Sequence, residues 1–90
     1  MPFQTKVPDD FLFTAVEWRR LISSLDLPKR QSEILLLIVA GQADSEIAKK
    51  LSIGAPTVRT HIKRILDRFG ARDRTTLVIE VFRRFRQLRS

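Results

Sequence analysis

The chain has no cysteine, no tyrosine and a single histidine, His61. Without cysteine there are no disulfides and no thiolate metal sites, which fits a reducing, cytoplasmic setting. A lone histidine cannot assemble a zinc site, so no metal is expected. The remaining side chains offer no nucleophile with a base and a group to orient it. No catalytic residue and no cofactor are therefore expected, and the chain does not read as an enzyme. Long apolar runs are also missing, so no segment approaches the ~20 residues that cross a bilayer and no membrane partner is expected. The opening MPFQTKVPDD carries two acids and no apolar stretch, unlike a secretory leader. There is no useful strand-like alternation, no repeat and no low-complexity segment.

What is present is charge of one sign, concentrated at one end. The 90 residues carry a net charge of +7, and 43% of them are hydrophobic, enough for one small core. Residues 1–48 hold five Lys/Arg against seven Asp/Glu, a net of −2, whereas residues 49–90 hold twelve against three, a net of +9. A surface serving only solubility mixes its signs. A one-sided excess attracts polyanions, nucleic acid first among them, although an anionic membrane surface would respond to the same field.

The three glycines fall where helices begin or end. Gly41 follows the run ILLLIVA, Gly54 precedes a basic segment and Gly70 closes it. Pro28 and Pro56 stand near helix starts, where a missing N–H costs little. This punctuation predicts five helices, over 10–25, 28–40, 44–52, 55–69 and 74–88.

Asp44 to Gly70, DSEIAKKLSIGAPTVRTHIKRILDRFG, reads as a short helix, a tight turn and a longer basic helix. That is the outline of a helix-turn-helix, whose second helix enters the DNA major groove. The longer helix has an apolar stripe of Val58, Ile62, Ile65, Leu66 and Phe69. The opposite arc carries Pro56, Thr60, Lys63, Arg64, Asp67 and Arg68, with Arg59 and His61 flanking it. An ordinary amphipathic surface helix is the competing reading. It is weakened by the preceding helix, whose Ile47, Ala48 and Leu51 supply a matching inward face, with Ile53 in the turn.

The blocks LPKRQSEILLLIVAG, SEIAKKL, TVRTHIKRIL and FGARDRT, in that order and spacing, resemble the LuxR/GerE-type DNA-binding domain over about residues 27–85. The resemblance implies an all-α, four-helix domain whose third helix reads the major groove and whose fourth supports it and often dimerises. The division that follows is an N-terminal extension, 1–26, with one amphipathic helix, and a LuxR-type domain, 27–90. Carried over by motif, the base-reading positions fall on Arg59, Thr60 and Lys63, and the phosphate-anchoring hydroxyl on Thr57 at the helix N-terminus. Arg and Lys donate to guanine O6 and N7, and the Thr60 methyl can touch a thymine methyl. Lys50, Arg64 and Arg68 suit phosphate better than bases.

The chain departs from the family pattern in places. Pro28 and Gln31 replace a reciprocal cap, which leaves Asp26 to cap that helix. Ala43 replaces a capping serine, with Asp44 as its substitute. Asp67 stands where the family has a basic residue, so either that turn stands clear of DNA or Asp67 pairs with Lys63. Leu36 replaces an outward polar residue and makes the second helix apolar nearly all round, so it should be covered. The stripe Phe11, Ala15, Trp18, Ile22 and Leu25 of the extra helix offers the cover, with Trp18 a packing residue near Leu36 in its own chain or in a partner.

The function expected is a sequence-specific, double-stranded DNA-binding transcriptional regulator, either stand-alone or part of a longer protein carrying a sensor. A homodimer is expected at least on DNA, with RNA polymerase a further candidate partner. Its interface is placed on Leu77, Val78, Val81, Phe82 and Phe85, an apolar face larger than one small core should bury. Two alternatives compete. One is a protein-interaction module that sequesters a related regulator. The other is a polymerase-associated module like sigma-factor region 4, against which the FGARDRT block and the last helix argue.

Overall fold

The computed structural model describes residues 7, 8 and 10–89; most of the opening segment compared above with a leader lies outside the described residues. Five helices follow one another with no strand among the described residues: α1 (Ala15–Leu25), α2 (Lys29–Val39), α3 (Asp44–Leu51), α4 (Ala55–Phe69) and α5 (Arg74–Arg89). The fold is thus the expected all-α helix-turn-helix with an additional N-terminal helix.

Local chemistry sets the helix ends. Helix α1 begins five residues later than its apolar stripe predicts, because Thr14 caps it. The Thr14 hydroxyl accepts from the Glu17 N–H at 3.1 Å, and the Glu17 carboxylate accepts from the Thr14 N–H at 2.8 Å. Asp26, expected to cap α2, instead closes α1 in a left-handed conformation at φ 53°. Helix α2 starts at Pro28 with no side-chain cap. Helix α3 has half of a capping box, in which Glu46 accepts from the Ala43 N–H at 2.7 Å. Asp44 is the first residue of α3, and its carboxylate is engaged elsewhere, as described below.

Three helices end alike. The N–H of Gln42 reaches back to the Leu37 carbonyl, that of Ile53 to Ala48 and that of Ala71 to Leu66, at 3.0, 3.0 and 2.9 Å. This closure needs a left-handed residue just before the donor. Gly41 and Gly70 supply it at φ 86° and 65°, and Ser52 does so at 57°, against the preference of a residue with a Cβ.

The core is built around α2. Every residue from Gln31 to Val39 is buried, and Leu36 is fully so. The expectation that a helix without a polar face must be covered therefore holds. The helix packs against α4 and α5, and Trp18 and Leu36 belong to one hydrophobic cluster. The N-terminal segment joins that cluster through its rings. Phe13 lies 5.7 Å from Trp18 and 4.9 Å from both Phe82 and Phe85, and Phe11 meets Trp18 edge-on at 5.2 Å. Ala15, placed on the buried stripe by spacing, is exposed, and Leu21 is buried in the core.

Candidate nucleic-acid interface

Helices α3 and α4 pack against each other, and α4 also against α2 and α5. Val58, Ile62, Ile65 and Phe69 hold one side of α4 in the core. Thr57, Arg59, Thr60, Lys63, Arg64 and Arg68 are all exposed, as is Lys50 on α3. The candidate base-reading and phosphate residues thus stand on the solvent side of a helix whose other side is fixed. A 15-residue α-helix is about 22 Å long, enough to lie along a major groove about 12 Å wide.

The start of α4 is chemically open. Gly54 has no side chain to cap it, and Pro56 has no N–H. The N–H groups of Ala55 and Thr57 fall in the first turn, where no carbonyl of the helix itself can accept them. With the positive end of the helix dipole and the Thr57 hydroxyl, they favour a phosphate oxygen. The Thr60 hydroxyl donates to the Pro56 carbonyl at 3.1 Å, so Thr60 has its lone pairs and methyl group left to offer a base.

Two arginines on this helix already have partners. Arg59 Nε lies 3.6 Å from Asp44 Oδ2, and Arg68 Nη2 donates to the Asp26 carbonyl at 2.9 Å. Asp67 and Lys63 are both exposed and form no ion pair with each other. At the flank, His61 is held below its usual pKa by burial and by the neighbouring Arg64 and Arg30.

The apolar face expected to pair two copies is largely used within the protomer. Leu77 and Val81 are fully buried and Phe85 nearly so, while Val78 and Phe82 are half-buried against the same core. Helix α5 packs against α1, α2 and α4 of its own chain, and Phe13 adds its ring to Phe82 and Phe85. On α5 the large apolar residues left at the surface are Ile79, 48% exposed, and Leu88, 41% exposed. The side chain of Arg89 lies outside the described residues.

No group of acidic, histidine or cysteine side chains among the described residues could hold a metal ion. No helix among them is long and apolar enough to cross a membrane.

The pairing of Asp44 with Arg59 and Arg74 was missed from the sequence. The residue types were visible, but the two arginines come from two other helices, and no spacing rule links them.

Among known proteins, residues 25–81 match the family described as bacterial regulatory proteins, luxR family. A 56-residue stretch is 45% identical to the response regulator protein VraR of Staphylococcus aureus, and equally to those of Staphylococcus saprophyticus and Staphylococcus epidermidis. That stretch covers 62% of this chain and 27% of each of those proteins. No solved structure gives a significant match. With well over half of its length matched, in a five-helix fold whose helix-turn-helix is α3 and α4, the chain belongs to the luxR family of bacterial regulatory proteins.

Proposed function

We propose that this chain is a sequence-specific, double-stranded DNA-binding module of a transcriptional regulator, acting in the cytoplasm with α4 in the major groove. One observation carries the reading. Thr57, Arg59, Thr60 and Lys63 lie exposed together along α4, beyond an uncapped helix start, while the other side of the helix is locked in the core. Arg59, Thr60 and Lys63 meet base edges. Thr57 and the open N–H groups take a phosphate, and Lys50, Arg64 and Arg68 take others along the backbone. A twofold pair of such modules reads two half-sites, and RNA polymerase is the further partner that a regulator bound at a promoter would meet.

The test is a salt titration on duplex DNA, combined with selection of bound sequences from random duplexes. Each phosphate contact releases condensed counterion. A dimer making ~6–10 contacts should lose about 10³–10⁵ in affinity between roughly 50 and 200 mM salt. A flat titration, or a selection that enriches no sequence, overturns the proposal.

A further inference from the structure

Asp44 sits where three helices meet. It is the first residue of α3, and its side chain is 30% exposed. Its two carboxylate oxygens serve two different arginines. Arg74, in the first turn of α5, donates from Nη2 to Oδ1, and Arg59 on α4 approaches Oδ2 with Nε at 3.6 Å. The arginines differ in exposure. Arg74 is 39% exposed and Arg59 64%. The helix that carries Arg74 is capped at its start by the preceding residue, Asp73, which accepts from the Thr76 N–H at 2.8 Å.

A guanidinium offers donors in a fixed planar fork. Asp44 comes closest to Arg59 at Nε, on the side of that plane. The end-on pair, Nη1 and Nη2, is the pair that matches guanine O6 and N7 in parallel, and a side-on carboxylate leaves it open. An arginine held this way loses less rotamer freedom when it meets a base. The same carboxylate beside a DNA-facing helix repels phosphate, which lowers binding to sequences where Arg59 finds no guanine.

We propose that Asp44, pinned by Arg74, is a positioning residue that sets how Arg59 meets a base edge, and thereby governs the base preference of this domain without touching DNA. The inference rests on the reading that Arg59 faces bases. It gives α5 a part in sequence selection, because the chain of contacts runs from Arg74 through Asp44 to Arg59.

The experiment uses the full chain and measures binding to the best selected duplex, to each of its single-base variants and to an unrelated duplex. Arg59→Ala should flatten preference at one base-pair position per half-site, by about 5- to 150-fold. Asp44→Asn should flatten the same position, by roughly fivefold or more, the low end of that range, while binding to the unrelated duplex holds or rises. In the Arg59→Ala background, Asp44→Asn should change nothing further at that position. Arg74→Gln removes the pin but leaves the carboxylate. It should relax the same position, and it carries the test if Asp44→Asn does not fold. A structural role alone would lower affinity for every duplex in proportion. That result, or a change at a position Arg59 does not control, overturns the inference while leaving Arg59 as a reader. If Arg59→Ala itself leaves base preference intact, the base-reading assignment falls and this inference with it.

Discussion

Arg68 Nη2 donates to the backbone carbonyl of Asp26 at 2.9 Å, tying the last turn of α4 to the left-handed residue that ends α1. Arg68 is exposed and is also a candidate phosphate ligand, and its bond joins α4 to the end of α1. Lys50, a candidate for the same work on α3, makes no side-chain bond among the described residues.

The two residues should therefore separate in mutagenesis. Arg68→Ala should weaken binding to all duplexes and also cost about 0.5–1.5 kcal/mol of folding stability, the scale of one hydrogen bond. Lys50→Ala should weaken binding similarly but leave stability within about 0.5 kcal/mol. Urea denaturation beside a binding titration checks both. Equal stability of the two variants would mean that the Asp26 contact contributes nothing in solution.

Phe13 should prove the most costly residue of the N-terminal extension. It is buried among Trp18, Phe82 and Phe85, and it bridges the extension to α5. Truncating a buried phenylalanine costs about 3–5 kcal/mol, and a small domain has only about 5–15 kcal/mol in all. Phe13→Ala should lower the melting temperature steeply, and removal of residues 1–26 should in addition expose Phe82 and Phe85 and promote aggregation. A loss below about 1 kcal/mol would mean that the extension is an appendage.

These cases show how far the sequence could be read. Helical periodicity and the placement of glycines located all five helices, and the four blocks from Leu27 to Thr75 identified the family. The start of α1 was legible in the Thr14–Glu17 spacing, but Phe11, apolar and in helical register with Ala15 and Trp18, extended the predicted helix toward the N-terminus. Leu36 signalled a covered second helix because an apolar residue facing water has no compensation. Periodicity failed at α5. It shows which residues share a face, but whether Leu77 and Val81 meet their own chain or a second copy depends on how α5 docks against α1, α2 and α4. The Asp44 contacts were hidden for the same reason, since they exist only once three helices are docked.

If two copies pair through α5, they must use what that helix leaves outside. Changing Leu77 or Val81 to Asp would unfold the protomer and reveal nothing about pairing, because both are fully buried. Ile79 is exposed, with half-buried Val78 and Phe82 nearby on the same helix. If two α5 helices meet across a twofold axis, Ile79→Lys should abolish cooperative binding of the second copy to a duplex with half-sites about 34–36 Å apart. Folding stability should stay within about 0.5 kcal/mol. Sedimentation with and without the duplex measures this. Undiminished cooperativity would move the contact to another surface, with exposed Leu12 and Val16 of the N-terminal segment next to be tested.

His61 should give the fold a pH dependence with a defined sign. Its pKa is lowered from 6.5, first by burial and then by the charges of Arg64 on its own helix and Arg30 on α2. Its Nδ1 is buried without a hydrogen-bond partner. The folded protein therefore resists protonating this ring, while the unfolded chain protonates it near the ordinary value. Between the folded and unfolded pKa values the unfolded state binds more protons, so stability rises with pH through that window. Stability should thus be greatest above the unfolded pKa, decline as pH falls below it, and stop declining from this cause once the folded pKa is passed. Melting temperatures recorded from about pH 5.5 to 7.5 isolate the effect, because carboxylates titrate below that range and amines above it. His61→Gln should flatten the curve. An unchanged slope in that variant would mean that His61 protonates as freely in the fold as in the open chain, so that neither its burial nor the two arginines act on it in solution.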